Sequence, residues 1–251
     1  MTETILDAEA GLVQCAHRKA AIIGAGSYRT HAPWDDESWC FWALNEIPQP
    51  RTDRHFELHP MAVQSRIDLL ALRDCAVPCY VLDVGELTPE RTSGFAAGEG
   101  PYFIPYPVHY PLERVLEKTG GRRYFTCTFA YQVALAIAEG FEEIGLWGVD
   151  LDLGTMRERL VEKPCLEYWL GQAEGRGMRI TLALGGTLLQ RPWLYGYDYD
   201  DEKAGVERVC DEAVLATSPK RWSGILHRLS HLHGGPHATA LATVSRLLAR
   251  E

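Results

Sequence analysis

The chain has 251 residues, of which 46% are hydrophobic and 10% aromatic, and its formal net charge is −9. These values are typical of one globular domain with a real core, or of such a domain with a small extension. The acidic balance argues against a protein that wraps nucleic acid with its whole surface. No apolar run reaches the roughly 18 residues of a membrane span, so no membrane contact is expected.

The cysteines and the first residues predict a compartment. The seven cysteines are odd in number and form no CxxC pair, and most lie in apolar stretches, which predicts reduced core thiols. The first eleven residues carry acids instead of a basic, apolar leader. We therefore expect no signal peptide and a cytoplasmic location.

The first half of the chain predicts buried strands that end in turns. Apolar runs at 20–23, 39–44 and 77–82 predict strands, and a short run at 56–59 predicts a strand or a strand end. The spacing of apolar residues at 61–73 predicts a helix.

Residues 83–111 are rich in glycine, proline and aromatic residues and lack periodicity, which predicts a long loop. Its aromatic side chains, among them Tyr102, Tyr106 and Tyr110, are candidates to cover a bound ligand. A self-packed surface loop explains the same composition equally well.

The second half alternates helix and strand. Helices are predicted at 125–139 and 165–174, and strands at 144–149 and 178–184. This order predicts an α/β fold with a Rossmann-like, mostly parallel sheet flanked by helices. We assign residues 1–200 to a nucleotide-binding domain and 201–251 to a C-terminal helical extension.

A glycine turn, Gly24-Ala25-Gly26-Ser27, follows the first predicted strand. Glycines at such a place let the backbone approach a phosphate, and free amides at a turn favour anions. The third glycine of a dinucleotide fingerprint is missing, so a simple tight turn is the alternative.

Two further segments are candidates to bind a nucleotide. Asn45 ends the second apolar run, where an amide can read a base or a ribose, although a turn-forming Asn fits as well. Thr126-Cys127-Thr128 opens the long predicted helix, where hydroxyls and free amides suit a phosphate or simply cap the helix.

Two residues are candidates for catalysis from their positions in the sequence. Asp150 follows an apolar strand and could orient a donor or an acceptor, although its spacing from Asp152 is only a weak match to a metal-binding DxD motif. His59 follows a strand and is a candidate general base or phosphate ligand. We expect the C-terminal histidines to be solvated or partly packed.

These segments together resemble a bacterial sialyltransferase family with a Rossmann-like nucleotide domain. The resemblance lies in 126–131, in the helix end and following strand at 134–144, and in Gly148-Val149-Asp150. The glycine turn is similar to the family's GNGPS motif, and Asn45 to its second nucleotide-binding Asn. A set of phage-associated relatives is more similar still, since they share an FELH-like segment, a helix like 164–171 and a Tyr-Gly-Tyr turn like 195–197.

The chain departs from that family at several positions. Ala25 stands where the family has Asn, and Cys127 and Thr128 replace Ser and Gly. The family's catalytic His lies downstream of the segment that ends at Asp150, and this chain has no His between 109 and 227. Glu162, in the corresponding region, and His59 are the substitutes that the sequence offers.

The resemblance implies a glycosyltransferase that uses a nucleotide-sugar donor, a CMP- or UDP-sugar, with the metal requirement open. The acceptor hydroxyl is also open, and a modified base in phage DNA is one candidate. The segment from Ser218 carries five basic residues and one acid and would contact the DNA backbone. The alternatives are a pyrophosphokinase of the hydroxymethylpterin diphosphokinase type and a catalytically inactive nucleotide-binding protein.

Overall fold

The computed structural model describes residues 5–7, 12–14, 17–45, 49–60, 64, 66–82, 104–120, 122–149, 151, 155, 157–183, 188–189, 194 and 197–198. Within them lie a small antiparallel pair of strands and a seven-stranded sheet in which every pair is parallel. Helices cover the sheet, so the predicted α/β, Rossmann-like class is confirmed.

The antiparallel pair consists of β1 (Ile5–Asp7) and β2 (Leu12–Gln14). The strands of the sheet are β3 (Lys19–Ile23), β4 (Trp39–Leu44), β5 (Arg54–Glu57), β6 (Cys79–Val81), β7 (Pro107–His109), β8 (Glu143–Trp147) and β9 (Arg179–Leu182).

The helices are α1 (Arg66–Arg73), α2 (Leu112–Thr119), α3 (Thr128–Glu139) and α4 (Lys163–Glu174). A 3₁₀ turn at Ser27–His31 follows β3, and a π-helical turn at Glu158–Glu162 runs into α4. Helix α3 ends at Gly140, whose φ of 76° is the left-handed conformation that favours glycine after a helix.

The strands lie in the order β7-β6-β5-β4-β3-β8-β9. From β3 the chain moves outward in one direction to β7, and β8 then returns to the opposite side of β3. The connections that leave β3 and β8 therefore diverge, which makes the carboxyl ends of these two strands a topological switch point. Open α/β sheets bind ligands at such points.

The central strands are buried on both faces, because successive side chains of a strand point to opposite sides. Ala20 and Ile22 face the larger core, which includes buried residues of α2, α3 and α4. Ala21 and Ile23 face a second cluster that contains Trp147. This two-sided burial explains why the strands read as continuous apolar runs in the sequence.

A buried ion pair holds α3 against β5. The Arg54 guanidinium donates to the Glu139 carboxylate at 2.7 Å, and the two side chains are 1% and 8% exposed. The guanidinium also lies 4.9 Å from the centre of the Trp42 ring. The pair joins the last residue of α3 to the first residue of β5.

Several predicted elements differ from the observed ones. The strands β1, β2 and β7 were not predicted, because three-residue strands give little periodic signal. The helix α2 was not predicted either, although Leu112, Val115 and Leu116 have helical spacing. Helix α3 begins at Thr128 instead of residue 125, since Cys127 is still extended at φ −152° and ψ 157°. Tyr110, one of the candidates to cover a ligand, is 1% exposed and donates its hydroxyl hydrogen to the Tyr131 carbonyl at 2.8 Å, as in the alternative of a self-packed segment.

The chain divides into two compact units, Met1–Gln190 and Arg191–Glu251. Almost all of the second unit lies outside the described residues, as does most of the predicted loop at 83–111. The domain boundary at residue 200, the C-terminal helices and the basic segment from Ser218 therefore stay predictions. None of the described helices has the length and apolar composition needed to cross a membrane.

Candidate functional site

A cavity of about 410 Å³ opens at the carboxyl edge of the sheet, beside the switch point. Ala25 and Gly26 from the loop after β3 line it together with Gly148 from the end of β8. Leu44 and Asn45 at the end of β4 line it as well. The volume falls in the usual range of small-molecule sites.

Most of the predicted site residues meet in this cavity. Those that line it are Gly26, Asn45, His59, Thr126, Cys127, Thr128 and Glu162. They come from five separate segments, and parallel pairing brings these together because the carboxyl ends of parallel strands share one edge of the sheet.

Other predicted site residues do not line the cavity. Gly24 and Ser27 flank the lining residues of their loop without joining them. Tyr106 lies just before β7, and its carbonyl accepts from the Cys79 amide at 2.8 Å, so it sits at the amino edge of the sheet. Tyr106 does not line this cavity, and its predicted contact with the substrate stays a prediction. Asp150 lies outside the described residues.

The amides of the glycine turn are not all free, contrary to the prediction. The Gly24 amide donates to the Trp147 carbonyl at 2.8 Å, and the Gly26 amide donates to the Gly148 carbonyl at 2.7 Å. A Cβ built on Gly24 would lie 2.3 Å from the Gly148 oxygen. Glycine is therefore needed at this position so that two backbones can approach each other.

The start of α3 does offer free amides to the cavity. Cys127 makes no side-chain capping hydrogen bond, and the first turn contains no acidic residue. The amides of Thr128 and Phe129 have no acceptor in a preceding turn of the helix, and both residues line the cavity. Together with the helix dipole, these amides form a local site of positive potential that suits a phosphate.

The hydroxyl of Thr126 has a structural role that the sequence did not reveal. It donates to the Val161 carbonyl at 2.9 Å, and the Cys127 thiol contacts the Glu162 carbonyl at 3.8 Å. These contacts connect the segment before α3 to the π-helical turn at Glu158–Glu162. Such turns are frequent at functional sites because they reorient side chains within a helix.

Asn45 is unusual in both backbone and side chain. Its φ is 54°, the left-handed conformation that Asn tolerates better than most residues. Its Oδ1 atom is buried and has no hydrogen-bond partner. A buried acceptor without a partner costs free energy, and a ligand that donates a hydrogen bond would recover it.

His59 lies at the rim of the cavity with a carboxylate behind it. The Glu57 Oε1 atom lies 2.7 Å from His59 Nδ1 and accepts from the His59 amide at 3.0 Å. The Glu57 side chain is 1% exposed, whereas that of His59 is 53% exposed. Glu57 was not among the predicted site residues, although its position two residues before His59 puts both on the same face of an extended segment.

Glu162 lines the cavity in an ion pair. Its Oε1 atom accepts from Arg157 Nε at 2.9 Å, and Arg157 also lines the cavity. Arg157 was not among the predicted site residues either. The signal was an opposite charge five residues before Glu162 in a segment with helical spacing, which is a weak signal in a charged surface stretch.

Two thiols meet beside the start of α3. The contact between Cys127 and Cys165, together with burial, raises the pKa of Cys127 well above its usual value. The five cysteines within the described residues are all free thiols. Within the same residues no group of three or more His, Cys, Asp or Glu could hold a metal ion.

Solved structures that match part of the chain are sialyltransferases of Campylobacter jejuni. CstII in complex with CMP-3FNeuAc is 15% identical, with 68% of this chain and 82% of that chain covered and a TM-score of 0.45. For CstII in complex with cytidine-5′-monophosphate the identity is 14%, the coverages are 70% and 84%, and the TM-score is 0.46. For an α-2,3-sialyltransferase in apo form they are 14%, 71% and 79%, and 0.43.

No family model matches the chain, and no curated protein matches it. At these identities the chemistry of this protein has to be derived from its own side chains.

Proposed function

We propose that the chain is a glycosyltransferase that moves a sugar from a nucleotide-sugar donor, a CMP- or UDP-sugar, to an acceptor hydroxyl. The proposal rests on one observation, the convergence of three features on a single cavity. These features are the uncapped start of α3, the buried Oδ1 of Asn45 and the ring of His59. Each suits a different part of the same reaction.

The donor phosphate is assigned to the start of α3. The amides of Thr128 and Phe129 would donate to its oxygens, and the Thr128 hydroxyl is available beside them. When the bond to the sugar breaks, negative charge develops on the departing phosphate. Fixed amide dipoles stabilise such charge without having to reorganise during the reaction.

The nucleoside is assigned to the neighbourhood of Asn45. Its carboxamide carries both an acceptor and a donor, so it can read a polar edge of a base or a ribose hydroxyl. The unpartnered Oδ1 supports this role, because a donor on the ligand would supply the hydrogen bond that the protein itself lacks.

His59 is the proposed general base. It would take the proton from the acceptor hydroxyl while that oxygen forms its bond to the anomeric carbon of the sugar. The bond between this carbon and the phosphate oxygen breaks, and the nucleotide leaves with the electron pair. Glu162 is less suited to the task, since its carboxylate is already paired with Arg157 at 2.9 Å. The predicted role of Asp150 in orienting the donor or acceptor stays a prediction.

Isothermal titration with CMP-, UDP- and GDP-sugars tests the proposal, together with a turnover assay that measures release of free nucleotide with water as acceptor. We expect one nucleotide class to bind the wild-type chain and to be turned over slowly. The His59→Gln variant should bind the same donor within about threefold and lose about 100-fold in turnover, which is typical of a lost general base. His31→Gln is the matched control, because His31 is exposed and does not line the cavity.

Each of the other results points elsewhere. If none of the nucleotide-sugars binds, the glycosyltransferase proposal is wrong. Magnesium-dependent release of AMP from ATP would indicate the pyrophosphokinase alternative. Tight donor binding without turnover, even with a broad panel of acceptors, would indicate a nucleotide-binding protein without catalysis.

A further inference from the structure

Glu57 is a buried carboxylate at the end of β5 with an unusual set of partners. One of its oxygens, Oε1, faces both the backbone amide of His59 at 3.0 Å and the ring Nδ1 of the same residue at 2.7 Å. The carboxylate is 1% exposed, while the imidazole that it contacts is 53% exposed and borders the cavity.

Other buried carboxylates of this fold are paired with arginine. Glu139 accepts from Arg54 at 2.7 Å, and Glu143 accepts from Arg179 at 3.2 Å. For Glu57, the structure records within 4.0 Å only one group that can carry a positive charge, as far as the described residues extend, and this group is His59. Burying a carboxylate without a permanent cation costs free energy, so a purely structural reason for Glu57 is weak.

The environment of Glu57 strengthens this contrast. In the parallel register Glu57 lies opposite Val81 of β6, and Cys79 is on the same face two residues earlier. Both neighbours belong to a small apolar cluster. A side chain that only braced the turn would need just the bond to the His59 amide, whereas the additional contact with the ring fixes the orientation of the imidazole.

The contact with Glu57 also selects the tautomer. A neutral imidazole carries a single N–H, and a carboxylate at 2.7 Å from Nδ1 favours the hydrogen there. Nε2 then keeps its lone pair free. We propose that Glu57 is a positioning residue that holds His59 with Nδ1–H toward the protein and Nε2 available to accept the proton of the acceptor hydroxyl. This inference rests on the proposed function for its catalytic consequence, but not for the tautomer itself.

The tautomer can be measured without any substrate. Long-range ¹H–¹⁵N correlation spectra of the ¹⁵N-labelled wild-type chain at mildly alkaline pH should show, for His59, a protonated Nδ1 and an unprotonated Nε2. The His59→Gln variant assigns these signals by removing them. A wild-type His59 with the hydrogen on Nε2 would overturn the inference, whether or not the protein is active as an enzyme. This measurement does not require any Glu57 variant to fold.

The Glu57→Gln variant tests the consequence. The Glu57 oxygen that faces Nδ1 also accepts from the His59 amide, so the Gln variant keeps a neutral oxygen at this place. We therefore expect a weaker preference for Nδ1–H and a turnover number that falls about 10-fold. The dissociation constant of the donor should stay within about twofold. Glu143→Gln is the matched control, because it neutralises another buried carboxylate at the opposite, amino end of a strand.

The two proposals fail in different ways. If the wild-type tautomer is as expected but no nucleotide binds or turns over, the proposal that Glu57 positions His59 is supported and the glycosyltransferase proposal is rejected. If donor turnover is measurable and Glu57→Gln leaves it unchanged while the tautomer shifts, the positioning role in catalysis is overturned and the transferase stands.

Discussion

Asn45 combines a left-handed backbone with a buried side-chain oxygen that has no hydrogen-bond partner. Both features cost free energy. Strain and unmet hydrogen bonds of this kind concentrate at functional sites, where a ligand recovers what the fold gives up. The position after β4 was predictable from the sequence, but the φ value and the unpaired oxygen were not, because they depend on the surroundings of the residue.

The Asn45→Gly variant separates the two features. Glycine accepts the backbone conformation, so we expect the free energy of unfolding to change by less than about 1 kcal/mol. The lost hydrogen bond should weaken donor binding about 10-fold, as isothermal titration would show. Leu189→Gly is the control, since Leu189 has a similar φ of 53° outside the cavity. Unchanged affinity in Asn45→Gly would mean that Asn45 does not contact the nucleotide.

At the scale of elements, the loop after β3 and the end of β8 form one unit. The amides of Gly24 and Gly26 donate to carbonyls of Trp147 and Gly148, and the two backbones approach too closely for a side chain at residue 24. The glycines therefore hold two strand ends together at the switch point, while the start of α3 offers the free amides. Sequence alone suggested a phosphate loop, because a GxG turn after a strand serves either purpose.

Gly24→Ala should lower the free energy of unfolding by about 2–3 kcal/mol, because the new methyl group meets the Gly148 backbone, which cannot move aside as a flexible side chain would. Gly171→Ala is the matched comparison in α4, where nothing lies within 4 Å of the added carbon. That variant should be about 0.5–1 kcal/mol more stable than the wild type. Urea unfolding of the three proteins measures both changes, and equal stability of all three would contradict the close packing.

At the scale of the whole molecule, the sheet buries a histidine that titrates differently in the folded and unfolded chain. Burial lowers the pKa of His55 on β5 to about 4, compared with about 6.5 in an unfolded chain. Between these values the unfolded chain binds a proton that the folded chain does not. The free energy of unfolding therefore falls as the pH falls from 6.5 to 4.

This linkage predicts a loss on the order of 3 kcal/mol across that window from His55 alone, given 1.36 kcal/mol for each unit of pKa. The His55→Asn variant should show a correspondingly shallower pH dependence in chemical unfolding, whatever its stability at neutral pH. His31→Asn at an exposed position should keep the wild-type slope. Parallel curves for His55→Asn and the wild type would show that His55 is not buried in its neutral form.

The sequence by itself determined the α/β class, the strands at β3, β4 and β8 and the helix α3, because the periodicity of apolar residues is a local property that burial on a sheet imposes. It also placed Asn45, His59 and Thr128 at strand ends and at a helix start. Only the tertiary structure decided which amides are free and which partner each side chain has. The Gly24 amide donates to β8, Tyr106 lies at the other edge of the sheet, and the His59 ring contacts Glu57. Each of these contacts depends on segments far apart in the chain or on the direction of a side chain. Local sequence patterns predict neither.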